Sequence, residues 1–174
     1  MRWEALFADM EAQLERARRE GEHHEVADLA RAERANVPWT DRVRASRGCE
    51  LRVHVGEGEP LRGVLVDVAA HWLLLAQSAR QVLVPVTAVV AVEGLTVQAA
   101  PAAGAVERRL GLGHALRALA RDRAPVVVHA RGLVVAGRVD RVGADHLDLT
   151  VADGARGGSS VAVPFASLIA VRSG

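Results

Sequence analysis

With 174 residues, 22 basic against 21 acidic groups and a formal net charge of +1, the chain has room for one or two small domains, and its total charge names no partner. One cysteine, Cys49, excludes an internal disulfide, a multi-cysteine zinc site and a CxxC redox pair. The acid-bearing start has no apolar signal core, and no window approaches the roughly 18 uninterrupted apolar residues of a membrane span, so a soluble, cytoplasmic protein without a membrane partner is expected. Half the residues are hydrophobic but only 3% are aromatic, which leaves Val, Leu and Ala to fill the core. Every basic residue is Arg, Lys and Tyr are absent and Asn36 is the sole Asn, a pattern of GC-rich bacterial coding that weakens arguments from Arg abundance alone.

Residues 1–39 read as an N-terminal helical segment. Trp3, Phe7, Met10, Leu14 and Ala17 recur at spacings of three and four between charged residues, the pattern of an amphipathic helix. Gly21 interrupts it, and a second run through Val26, Leu29, Ala30, Ala32 and Ala35 ends before Pro38. A short, weak helix is predicted over Asp41 to Arg47. The period then changes to that of strands: Leu51 to Val55, a Gly56 to Glu59 turn, Leu61 to Val68, Trp72 to Ala76, Gln81 to Val86 with Pro85 marking an edge or a stop, and Val89 to Val92. Gln98 to Gly104 reads as a linker. Val106 to Arg121 then predicts a helix, with Gly111 and Gly113 as points of interruption.

The second half of the chain repeats the first. Val126 to Ala130, Val135 to Val142, His146 to Leu149, Val161 to Phe165 and Leu168 to Val171 match the earlier strands in order. Gly63 and Gly137 lie 74 residues apart while Pro85 and Pro164 lie 79 apart, which places a five-residue insertion in the second copy near Asp153 to Ser159. A shared order with one localised insertion is the mark of a duplicated domain. The expected fold is α+β and mostly β: the helical segment, then two tandem small five-stranded antiparallel barrels, each preceded by a short helix. The expected domains are 1–39, a first barrel over 40–96, a linker over 97–105 and a second barrel over 106–174. Gly63 and Gly137 should sit at equivalent strand bends where backbones approach closely.

A helix before five strands, a Gly two residues ahead of an apolar residue in the second strand, and a late strand pair without a real loop together resemble the Sm-like superfamily, in its bacterial Hfq-like branch. Leu116 to Val126 resembles that family's passage from helix to first strand, and Arg138 and Val139 after Gly137 and Pro164 to Val171 fit its later strands. The resemblance implies RNA binding. It places the family's base-stacking position at His71 in the first copy and Asp145 in the second, and sets Pro85-Val86 and Pro164-Phe165 where the Hfq-like branch carries a Lys-His pair. It also implies self-association, because fourth and fifth strands of Sm-like subunits are edges that pair with neighbours.

Charge is segregated within the chain. Residues 105–174 hold ten Arg against six acids, whereas residues 1–39 hold six against nine. Arg117, Arg121, Arg123, Arg131, Arg138 and Arg141, with Arg108 and Arg109, are therefore candidates for phosphate contact, since guanidinium forks match phosphate oxygens and binding releases counterions. His71 joins them as a candidate for base stacking. The histidines offer no HxH or HExxH spacing, so no metal site is predicted. Neither a nucleophile elbow nor a nucleotide-binding glycine loop is present, so neither catalysis nor a cofactor is expected.

The expected function is thus nucleic-acid binding, RNA above all, by a self-associating Sm-like protein without enzymatic activity. The alternative is a protein-interaction or assembly module, in which the barrels are scaffold and the N-terminal helices recognise an unidentified protein. Few aromatics favour the alternative, because single-strand binding leans on stacking platforms. Self-association is assigned to the stripe Trp3, Phe7, Met10 and Leu14 and to the edge-strand residues Val84, Val90, Val163 and Ile169, giving a closed dimer or a three-chain ring that imitates six subunits.

Overall fold

The computed structural model describes residues 35–56, 58–101, 103–104, 110–151 and 159–173. Trp3, Phe7, Met10 and Leu14 lie outside the described residues, as do Arg108 and Arg109.

From Trp39 onward the chain forms helix α1 (Trp39–Ala45) and strands β1 (Glu50–His54), β2 (Leu61–Ala69), β3 (Trp72–Gln77), β4 (Arg80–Pro85) and β5 (Ala91–Glu93). Helix α2 (Leu112–Asp122) comes next, then β6 (Pro125–Ala130), β7 (Leu133–Val142), β8 (His146–Val151), β9 (Ser159–Pro164) and β10 (Leu168–Ser173). Alternation sets the faces. Leu51 and Val53 on β1 and Leu61, Gly63 and Leu65 on β2 are buried, while Arg62, Val64 and Val66 between them are exposed.

The duplication is visible in the pairing. In each half the second strand meets the third with one extra residue, Val66 in β2 and Asp140 in β7. Such a bulge shifts the alternation by one, so that Val68 rather than Asp67 faces inward. Gly63 and Gly137 occupy matching places: a Cβ there would lie 2.5 Å from the Ala76 and Thr150 carbonyl oxygens respectively, a gap only glycine tolerates. The five-residue insertion falls between β8 and β9, since Gln77 pairs with Arg80 across two residues whereas Val151 pairs with Ser159 across seven. Pro85 and Pro164 end their strands and lead into matching 3-10 turns, Val86–Ala88 and Phe165–Ser167. Pro85 therefore marks a stop, because β4 is paired on both sides.

The expectation of two separate five-stranded barrels is corrected by the sheet. All ten strands form one open antiparallel sheet in the order β5-β1-β2-β3-β4-β10-β6-β7-β8-β9. The cause is one joint: Val171 pairs with Leu83 and Arg172 with Val82, fusing the two sets of five. Among the described residues only two short helices, α1 and α2, accompany the sheet within its compact unit, Trp39–Gly174.

Two apolar cores interlock across the joint. One gathers Val43 of α1 with Leu51, Leu65, Leu73, Leu75, Val82 and Val84, and takes Ala170 from β10. The other gathers Leu116 of α2 with Val126, Val139, Leu147, Leu149 and Val171, and takes Ala69, Trp72 and Leu83 from the first half. Trp72 also donates its indole N–H to the Leu110 carbonyl at 3.0 Å. Each half therefore contributes side chains to the other's core.

Candidate nucleic-acid interface

Helix α2 owes its position to Leu112, Ala115, Leu116, Leu119 and Ala120, which recur at helical spacing and pack on the second core, with Leu116 fully buried. That stripe leaves Arg117 and Arg121, four residues apart, together on the more open face. The helix closes on Arg123, whose φ of 49° is left-handed and whose N–H reaches the Ala120 carbonyl at 3.3 Å. Glycine is the usual residue for that geometry, and an arginine there meets the negative end of the helix dipole.

Strand β7 supplies the opposite wall. Arg138 stands on its exposed side, and the bulge at Asp140 changes the alternation so that Arg141 is exposed as well. The result is an open groove of about 690 Å³ lined by Arg117, Arg121, Arg123, Arg138 and Arg141, with Asp140 as its carboxylate and Ala120, Val139 and Val142 completing its walls.

Asp140 is held by both sides of its carboxylate: the Thr150 hydroxyl donates to one oxygen, and Arg138 Nε donates to the other at 3.4 Å. The Thr150 hydrogen bond, reinforced by the charges of Arg138 and Arg123, keeps the Asp140 carboxyl below the usual carboxylate range. An acid so stabilised in its charged form is a weak proton acceptor at neutral pH, which suits an anchor for Arg138 rather than a general base. The side chains of Arg117, Arg121, Arg123 and Arg141 have no hydrogen-bonding or ion-pairing partner among the described residues. Their donors are available to an anion.

The first half provides an internal control. At the places of Arg138, Asp140 and Arg141 it carries Val64, Val66 and Asp67. Val64 and Val66 are 42% and 45% exposed, and Asp67 is bound by Arg47 Nη2 at 2.7 Å. One scaffold thus bears a cationic groove in one copy and an apolar, charge-neutralised surface in the other. A coding bias toward Arg acts on both copies alike and does not account for the difference.

Five of the sequence-predicted residues come together here. Arg131 does not: it lies in the β6–β7 turn, where its guanidinium is bonded to the Ala166 carbonyl. His71 is exposed in the β2–β3 turn and is not among the groove residues; its carbonyl accepts from Val86 N–H at 3.0 Å. Of the residues assigned to self-association, Val84 and Val163 are buried in β4 and β9, Ile169 is half-buried in β10, and Val90 is exposed ahead of β5. Sequence reasoning missed one residue, Asp140 as the counter-charge. The signal for Asp140 was in the repeat, where an exposed Val in one copy becomes an Asp in the other.

Among the described residues no three of His, Cys, Asp and Glu gather as metal ligands, and no helix is long and apolar enough to cross a membrane. His54 Nε2 lies 2.7 Å from Glu93, and His146 Nδ1 lies 2.9 Å from Asp145. No protein-family model matches the chain, and no curated protein compared with it matches either.

Proposed function

We propose that this chain binds nucleic acid, RNA in the first instance, through the arginine groove of its second half, and acts by binding rather than by catalysis. The observation that carries the reading is the convergence of five guanidinium groups from one helix and one strand on an open groove with a single, structurally engaged carboxylate. Guanidinium forks match phosphate oxygens bidentately, and the width of an open groove suits a backbone better than an enclosed small anion. The likeness of each half to Sm-like proteins supports the same reading at the level of the repeated strand order.

The test is titration of labelled single-stranded RNA, single-stranded DNA and duplex at several salt concentrations. Changing Arg117, Arg121 and Arg123 together to Ala is expected to weaken binding and to lower the salt slope by about two, at ~0.7 per lost phosphate contact on a single strand. Absence of binding to any of the three at low salt overturns the reading.

A second reading, a protein-interaction module, is favoured by an apolar groove of about 380 Å³ beside α2, lined among others by Trp72, Leu74, Leu83, Leu110 and Leu119. It predicts that the triple arginine variant leaves every partner interaction intact.

A further inference from the structure

We propose that a second groove, formed by residues of both halves, binds a small monocarboxylate through Arg172 and His129 and takes its apolar portion among Val55, Leu61, Leu133, Val134 and Ile169. No residue of the arginine groove takes part.

The repeat supplies the first part of the argument. Leu51 pairs with Gly63 and Val126 with Gly137, so His129 holds the place of His54. Arg52 pairs with Glu93 and Val127 with Arg172, so Arg172 holds the place of Glu93. In the first half the Glu93 carboxylate is held at both oxygens: His54 Nε2 lies 2.7 Å from Oε1, and Arg52 Nη1 donates to Oε2 at 3.0 Å. In the second half that acid is an arginine. The histidine keeps its place and loses its carboxylate, and a cation stands where the carboxylate was. A carboxylate supplied from outside the chain gives both side chains the partner that Glu93 gives their counterparts.

The surroundings supply the second part. His129 Nε2 and Arg172 Nε are both shielded from water without a hydrogen-bonding partner, and neither side chain forms an ion pair among the described residues. Polar groups buried in that state are costly and rare in native proteins. Both residues line an open groove of about 470 Å³. Leu133 and Val134, 43% and 64% exposed, form part of its wall and offer apolar surface that an alkyl group would cover. Burial, reinforced by the charge of Arg172, holds the His129 imidazole below its usual range and therefore neutral at neutral pH. Arg172 is then the one fixed cation on the groove, which matches a single negative charge better than a phosphate. Glu59, the one acid lining the groove among the described residues, is exposed in the turn between β1 and β2 and is bonded to neither. Because the two unpaired nitrogens are covered, binding includes a turn of the Arg172 side chain that brings its fork to the carboxylate and opens His129 Nε2 to it.

Calorimetric titration of the full chain with hexanoate at neutral pH tests the site. Hexanoate is expected to bind, acetate more weakly because each buried CH₂ adds up to about fourfold in affinity, and hexanol and inorganic phosphate more weakly still. Arg172→Met, which keeps the aliphatic stem and drops the charge, is expected to weaken hexanoate binding by about ten- to a hundredfold. Should that variant fail to fold, the imidazole resonances of the unmodified protein give a second readout: those of His129 are expected to shift on addition of hexanoate, and those of His54, which already has Glu93, to stay in place. Glu59→Gln is expected to bind hexanoate at least as tightly as the unmodified chain. Equal affinity for hexanol, or unchanged affinity in Arg172→Met, would reduce the site to an apolar groove and overturn the proposal. So would an unmoved His129 resonance at millimolar hexanoate, or binding seen only in Glu59→Gln, which would make Glu59 the carboxylate that fills the site.

Discussion

Arg123 shows two demands meeting at one residue. Its left-handed backbone at the end of α2 strains any side chain that has a Cβ, by about 1 kcal/mol. Glycine would relieve the strain, yet the position holds an arginine that lines the groove and lies within the electrostatic reach of Asp140. Arg123→Gly is therefore expected to raise stability by about 0.5–1 kcal/mol in denaturant unfolding while weakening RNA binding. A variant that binds as tightly as the original would assign Arg123 to the helix end alone. Asp140 plays the complementary part. Its carboxylate, ionised through the Thr150 hydrogen bond, fixes Arg138 without neutralising the groove as a whole.

At the scale of elements, the groove wall depends on how closely β7 and β8 approach. A Cβ on Gly137 would meet the Thr150 carbonyl oxygen at 2.5 Å, and one on Gly63 would meet the Ala76 carbonyl oxygen at the same distance. Either Gly→Ala change must push backbone apart, a cost of about 1–3 kcal/mol by analogy with overpacked cores. Only Gly137→Ala displaces Thr150 and with it the support of Asp140. The pair is expected to lose similar stability by thermal unfolding, with RNA binding reduced in Gly137→Ala and retained in Gly63→Ala; equal binding by both would detach the groove from its bulge. These elements were legible in the sequence to different degrees. Alternation, breakers and the repeat disclosed the strands, the matched glycines and the place of the insertion, because each is a local property. Helix α2 was read from Val106 with Gly111 and Gly113 as points of interruption; it starts at Leu112, just after Gly111, but runs through Gly113 without a break. The bulges at Val66 and Asp140 left no local trace, since an extra residue is defined only against its partner strand. For the same reason the arginines read as a basic half and not as a groove: residues 117 to 123 and 138 to 141 meet only when α2 lies over β7.

The whole molecule departs furthest from its sequence pattern, and the departure has an energetic consequence. Two repeats with a linker between them suggest two independent cores, but short repeats of this kind bury too little apolar surface to stand alone comfortably. The sheet resolves this by sharing. Leu83 belongs by sequence to the first half, yet it is 3% exposed and packs in the core built around α2, Leu147 and Leu149. Leu65, fully buried, packs wholly within the first core. If the halves fold as one, Leu83→Ala and Leu65→Ala should each shift a single unfolding transition, by about 2–5 kcal/mol for a buried leucine truncated to alanine. Hydrogen exchange should then show protection falling together in β2 and in β8 for both variants, because loss of the shared joint exposes both cores. Two separable transitions, with Leu65→Ala moving one and leaving the other in place, would show instead that the joint between β4 and β10 is a contact between domains, and that continuity of hydrogen bonds across the sheet does not by itself make one folding unit.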